Sequence, residues 1–222
     1  MFRRRKAEQG DLPDPSADRV DQDDEGMDVE VARRTGPRAD GPWDLDEVEV
    51  SEDDGRIDLG SLLVTPVEGL DLQLQVDEST GQVVAVLLAG AEGALELRAF
   101  AAPRNGDVWD DVRRQVSAEI ARMGGTATEG EGRWGTELRV SLTVNTPDGG
   151  RAQQVSRVVG ISGPRWLLRA TMFGGAAIEY RRNGPVETAL REVVVVRGTG
   201  PVPPGDPLPL TVPPNAQRVD PE

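Results

Sequence analysis

Residues 133–145 read Arg133-Trp134-Gly135-Thr136-Glu137-Leu138-Arg139-Val140-Ser141-Leu142-Thr143-Val144-Asn145, and their alternation decides the fold class. Trp134, Thr136, Leu138, Val140, Leu142 and Val144 fall on one side of a period of two, with Arg133, Glu137, Arg139, Ser141, Thr143 and Asn145 on the other. That is the pattern of a strand with one face in a core and one in water. Downstream, Pro147-Asp148-Gly149-Gly150 turns the chain into a strand at about 151–161. Its register stays open, because placing Val155, Val159 and Ile161 inward also buries Arg157. After the Ser162-Gly163-Pro164 turn, Trp166, Leu168, Ala170 and Met172 face in, and Arg165, Leu167, Arg169 and Thr171 face out.

Upstream, Leu70, Leu72, Leu74 and Val76 alternate with Asp71, Gln73 and Gln75, and Asp77-Glu78-Ser79-Thr80-Gly81 reads as a hairpin loop. Val83-Val84-Ala85-Val86-Leu87-Leu88 is apolar at consecutive positions, which places this strand near the sheet centre. A third strand sets Leu95, Leu97 and Ala99 against Glu96 and Arg98. The period then becomes helical. Val108, Val112, Val116 and Ile120 fall four apart, Trp109 and Met123 widen the stripe, and the spacing predicts a helix over 107–123. Asn105 or Asp107 caps it, and Gly124-Gly125 ends it before a glycine-rich link. A shorter helix follows Asn183, with Pro185 in its first turn and Val186, Ala189, Leu190 and Val193 inward. Val194-Val195-Val196 finishes it or begins a last strand. The expected architecture is α+β: a mainly antiparallel sheet of about six strands with two helices packed on one face, ordered βββαβββα.

Charge divides the chain. Residues 1–60 hold 9 basic and 19 acidic side chains, a net of -10 within a total of -14. Few large apolar residues accompany them, so residues 1–56 are expected to be a disordered acidic arm. Residues 57–200 are expected to form one domain, and 201–222 a proline-rich tail in which Leu208, Leu210 and Val212 lay one extended stretch on the domain. The chain has no Cys and no His, which removes thiol nucleophiles, histidine bases and the usual zinc ligands. It carries no phosphate-loop, dinucleotide or nucleophile-elbow motif. No enzyme activity, catalytic residue, metal or cofactor is therefore expected. No apolar run reaches the roughly eighteen residues that cross a bilayer, and the chain is read as cytoplasmic, without membrane insertion.

The acidic leader, Trp134-Gly135-Thr136-Glu137-Leu138, Gly163-Pro164-Arg165-Trp166-Leu167-Leu168-Arg169-Ala170 and Gly184-Pro185-Val186-Glu187 together resemble the actinobacterial domain-of-unknown-function family numbered 3710, over residues from about 44 to 200. Lys6 is the only lysine, which suits a GC-rich genome of that kind. The resemblance implies a cytoplasmic protein of unassigned activity, often encoded near a deoxyuridine triphosphatase and a small OB-fold nucleic-acid-binding protein, and it supplies no functional residue. The plan is also similar, at the level of fold, to PsbP-like domains.

Two features point to binding. Residues 149–183 contain Arg151, Arg157, Arg165, Arg169, Arg181 and Arg182 against Glu179 alone, locally +5. Period-two geometry sets Arg165 and Arg169 on one strand face, and Arg181-Arg182 follow a glycine-containing loop, so Arg165, Arg169, Arg181 and Arg182 are the candidate anion- or partner-binding residues. Solvated arginines paired with Glu96 or Glu137 are the competing reading. In Gly41-Pro42-Trp43-Asp44-Leu45-Asp46-Glu47-Val48, Trp43 and Leu45 stand among acids and are candidates for docking the arm on its own domain, in a cleft between the sheet and the second helix. Trp109, Trp134 and Trp166 lie on apolar faces and read as core anchors. The expected function is a binding or protein-interaction module with an acidic arm. The alternative is a nucleic-acid or nucleotide-associated factor using the arginine-rich second half, autoinhibited by that arm.

Overall fold

The computed structural model describes residues 38–51, 53–146, 149–214 and 216. In chain order its elements are β1 (Trp43–Asp44), a 3-10 turn (Leu45–Glu47), β2 (Ile57–Asp58), β3 (Leu62–Val64), β4 (Asp71–Val76), β5 (Val83–Gly90), β6 (Gly93–Ala101), α1 (Trp109–Arg122), β7 (Thr126–Gly132), β8 (Gly135–Asn145), β9 (Arg151–Gly163), β10 (Trp166–Gly174), α2 (Gly175–Ile178), α3 (Pro185–Glu192) and β11 (Val194–Val195). The fold is α+β. An antiparallel sheet of 7 strands runs β4-β5-β6-β10-β9-β8-β7, and a smaller sheet of 4 runs β1-β11-β3-β2, with β1 parallel to β11.

Two meanders, β4 to β6 and β7 to β10, meet at the β6–β10 pair, so β10 is the central strand. Trp166, Leu168, Ala170 and Met172 alternate into one core with Leu95 and Leu97 of β6, Leu62 and Val64 of β3, and Val186, Ala189 and Leu190 of α3. Leu167 points the other way, into a second cluster with Trp109, Leu138, Val140 and Val158, against which Val112, Val116 and Ile120 of α1 pack. Leu167, on the side of β10 expected to face water, is thus buried in the cluster on which α1 packs. The two long helices consequently lie on opposite faces of the large sheet, not on one, since alternate side chains of a single strand reach each of them.

Other expectations are corrected by particular side chains. The glycine-rich link of Thr126-Ala127-Thr128-Glu129-Gly130-Glu131-Gly132 is an edge strand, β7, paired residue by residue with β8. Its polarity hid it, and an exposed edge needs little apolar content. The run Val83–Leu88 lies one strand from the edge, not at the centre. Trp134 sits in the two-residue turn between β7 and β8, outside the alternation of β8, and so packs in the Trp166 core, not beside Leu138. Met123, beyond the last turn of α1, is 52% exposed.

Both ends of the expected domain extend further. Residues 38–48, assigned to the disordered arm, contribute β1, whose Trp43 amide donates to Val193 O at 2.9 Å; residues 1–37 of that arm lie outside the described residues. The proline-rich tail lies against β6 beyond the end of its pairing with β5: Leu208 N donates to Ala99 O and Ala101 N to Asp206 O, both at 2.9 Å. Leu208 is buried, Leu210 packs on the core, and Val212 is exposed. Further along, Thr211 N donates to Leu59 O at 2.9 Å, so this stretch ties the large sheet to the loop before β3. No described helix is long and apolar enough to cross a membrane.

Gly160 on β9 allows α1 to seat. A Cβ there would lie 2.1 Å from the Trp109 ring, and that ring is fixed by its own Nε1–H donating to Thr136 O at 2.7 Å. Gly160→Ala is expected to cost roughly 1–3 kcal/mol through overpacking, whereas Gly200→Ala, where nothing lies within 4 Å, should stay within about 0.5 kcal/mol. Urea unfolding of the two variants checks the difference.

Candidate functional site

The segment 38–47 folds into a compact unit because its own charges close a ring. Arg38 reaches Glu47 through Nη1 and Nη2 at 2.9 and 3.0 Å and Pro42 O at 3.1 Å. Glu47 accepts from the Asp44 amide at 2.8 Å and Asp44 from the Asp46 amide at 3.0 Å, a capping box around the 3-10 turn. The unit is fastened by acids more than by apolar residues. Asp44, buried, accepts a hydrogen bond from the indole Nε1–H of Trp166 at 2.6 Å, and the Arg38 guanidinium lies 5.2 Å from the centre of that ring. Trp43 is half-buried beside the end of α3, while Leu45 is 39% exposed.

Asp40 carries the segment onto two arginines. Its Oδ2 accepts from Arg133 Nη2 at 2.7 Å and Arg182 Nη2 at 2.8 Å, joining the β7–β8 turn to the loop between α2 and α3. Arg133 also lies 5.0 Å from the Trp134 ring and 5.8 Å from that of Tyr180. The carboxylate thus sits where two guanidinium groups converge, a strong kind of charge-assisted contact.

Behind Arg133 the interior is ionic. Arg157 is buried on β9, and one guanidinium nitrogen, Nη2, contacts Glu187 Oε1 of α3, Ala176 O at 3.0 Å and Met172 Sδ at 2.8 Å. Its Nη1 lies 3.8 Å from Glu137 Oε2 on β8, and Glu137 is itself buried. Two carboxylates therefore share one buried guanidinium. Burial pushes the Glu187 carboxyl above its ordinary value near 4.5, while the charge of Arg157 and, more weakly, that of Arg133 pull it back. The register left open for residues 151–161 is settled here: Val159 and Ile161 do face the core, Arg157 goes in with them, and Val155 is exposed. Glu187 also lines a cavity of about 180 Å³ with Ala176, Gly184, Pro185 and Arg181, space for a side chain or a few waters but below the ordinary range for larger ligands. Among the described residues no group of 3 or more acids is gathered to hold a metal ion.

The four arginines singled out by sequence do not share a surface. Arg165 lies in the β9–β10 turn at φ 61, not on the strand, with its carbonyl accepting from Ala102 N at 2.9 Å and Arg197 Nε at 3.1 Å. Arg169 is on the α1 face, opposite to buried Arg157. Arg181 pairs with Glu179 at 3.1 Å at the cavity mouth, and only Arg182 meets the arm. Arg133, Arg157, Glu137, Glu187 and Asp40 were missed as a group. The one available signal was the conflict over Arg157, since a strand that buries an arginine needs a buried acid opposite it.

Arg157→Met, which leaves Glu137 and Glu187 without their shared counter-charge, should cost about 3–5 kcal/mol. Because the Glu187 pKa is raised on folding, its contribution is fully present below 4.5 and declines as pH rises through the higher folded value. Glu187→Gln should flatten that fall in unfolding free energy, as measured by denaturant titration from pH 4 to pH 8. A search of curated proteins finds no match to the chain. A family model described as protein of unknown function, DUF3710, matches residues 41–219, a span that takes in β1, the ionic interior and the strap of the tail but begins just after Asp40, and the chain belongs to that family.

Proposed function

We propose that this protein is a cytoplasmic, non-catalytic interaction module whose acidic N-terminal segment docks on its own domain and is displaced by an acidic surface of a protein partner. The observation that carries this reading is the Asp40 carboxylate held by Arg133 and Arg182, at 2.7 and 2.8 Å. A side-chain acid from the arm occupies a site that a partner's Asp or Glu fits equally well. Arg182 is 60% exposed at the side chain, so this end of the contact is open to competition. Glu137 and Glu187, the carboxylates best sheltered from water, are engaged with Arg157, which supports a structural use for them. A nucleic-acid surface needs a continuous basic strip, and the separation of Arg165, Arg169 and Arg182 removes its geometric support.

Gly41 supplies a clean way to undock the segment. It has φ +91, and a Cβ there would lie 2.0 Å from Arg191 O on α3, so Gly41→Ala strains the seat of the arm without altering any of its charged contacts directly. In affinity capture from extract of the source cells, partner recovery is expected to rise for Gly41→Ala and Asp40→Asn and to fall for the pair Arg133→Gln and Arg182→Gln. Equal recovery on all variants would sink the proposal. Recovery abolished by nuclease would move it to the nucleic-acid reading.

A further inference from the structure

Among the described residues, two arginine sites are matched by carboxylates from distant positions: Asp40 for Arg133 and Arg182, Glu137 and Glu187 for Arg157. A third is on the α1 face of the large sheet, where Arg98 of β6 and Arg169 of β10 are directly paired across the strands. Like charges in that position repel. Glu96, two residues from Arg98 on the same strand face, serves both: its Oε1 is 2.9 Å from Arg98 Nε and 3.8 Å from Arg169 Nη2. Two guanidinium groups against one carboxylate leave the cluster one positive charge in excess.

The excess is held where it is costly. Arg169 Nε is buried and has no hydrogen-bond partner. Burial, then the charge of Arg98, lower the Arg169 pKa, and Glu96 only partly offsets them. The shelter comes from both sides: the Phe100 ring centre is 5.5 Å from the guanidinium, and Gly160, the register neighbour of Arg169 on β9, lies under the Trp109 ring. Access is nonetheless open, since the Arg98 and Arg169 side chains keep 32% and 19% exposure and α1 packs over β7, β8 and β9 beyond them.

We infer that Arg98 and Arg169 form a binding site for a carboxylate, completed by an Asp or Glu side chain or a small carboxylic acid. A single negative charge balances the cluster, which favours a monoanion over a phosphoryl dianion, and guanidinium groups make strong charge-assisted hydrogen bonds to a carboxylate. The site is separate from the Asp40 contact, on another sheet face and with other arginines, so it stands or falls independently of the arm.

The test is an acetate titration of the full chain at constant ionic strength, with chloride as the blank, read from the arginine Nε–Hε signals in two-dimensional nitrogen–proton spectra. A saturable shift is expected at Arg98 and Arg169. Affinity should fall about tenfold in Arg98→Gln and in Arg169→Gln, the loss of one charge-assisted bond, rise in Glu96→Gln, and stay unchanged in Arg165→Gln. A shift without saturation, or one whose affinity is unchanged in Arg169→Gln, overturns the site. Tighter binding of inorganic phosphate than of acetate overturns the carboxylate assignment while leaving the arginine pair as the binding group.

Discussion

Arg157 imposes the constraint around which one end of the molecule is arranged. A guanidinium placed on the core face of β9 has lost water and must recover its hydrogen bonds from protein. Glu187 answers from α3, Ala176 O from α2 and Glu137 from β8, so four elements are oriented by one cation. This explains why α2, a single turn of 4 residues with no side-chain cap, holds its place. It also explains why α3 begins where it does. Its Pro185 suits a first turn, and the helix must then present Glu187 inward among Val186, Ala189 and Leu190.

The docking of the N-terminal segment follows the same chemistry. An acidic stretch is usually regarded as solvent-seeking, yet Asp40, Asp44 and Glu47 each end on a donor: two guanidinium groups, an indole N–H and Arg38 with a backbone amide. Trp166 would otherwise bury an unsatisfied N–H in the main core. Asp44 removes that penalty, and in doing so fixes the position at which β1 meets β11. The acids are anchors, and Trp43 and Leu45 are the accessory contacts.

Much of the fold was legible because it depends on local periodicity. The alternation of Leu95 to Ala99 and of Trp166 to Met172, the stripe Val108 to Ile120, and the inward set of the last helix all appear where the side-chain pattern places them. What the pattern could not show is pairing between distant residues. Glu137 has the parity of an outward residue only while Arg157 is assumed to be outside; once Arg157 is inside, both belong in the core. The edge strand β7 was hidden for a different reason. Its Thr, Glu and Gly residues carry no apolar face, and its strand conformation is set by the ladder to β8. The opposite placement of the helices was hidden in turn by Leu167, a single apolar residue among polar ones that reports a second core only when α1 is seen to cover it.

Arginine is thus used here as a packing element, and this changes how the charge of the chain should be understood. The net charge of -14 suggests a surplus of acid to be kept in water. In the folded part, however, these acids answer particular donors: Glu187 and Glu137 answer Arg157, Glu96 answers Arg98 and Arg169, Asp40 answers Arg133 and Arg182, and buried Asp44 answers the Trp166 indole. Because an interior charge is stable only when its partner is present, each arginine limits which carboxylate may leave. Arg157 holds buried acids from two elements, β8 and α3, and releases neither without a large loss of stability. Arg182 is exposed and meets its acid at the surface, so what distinguishes the two ion pairs is burial more than residue type.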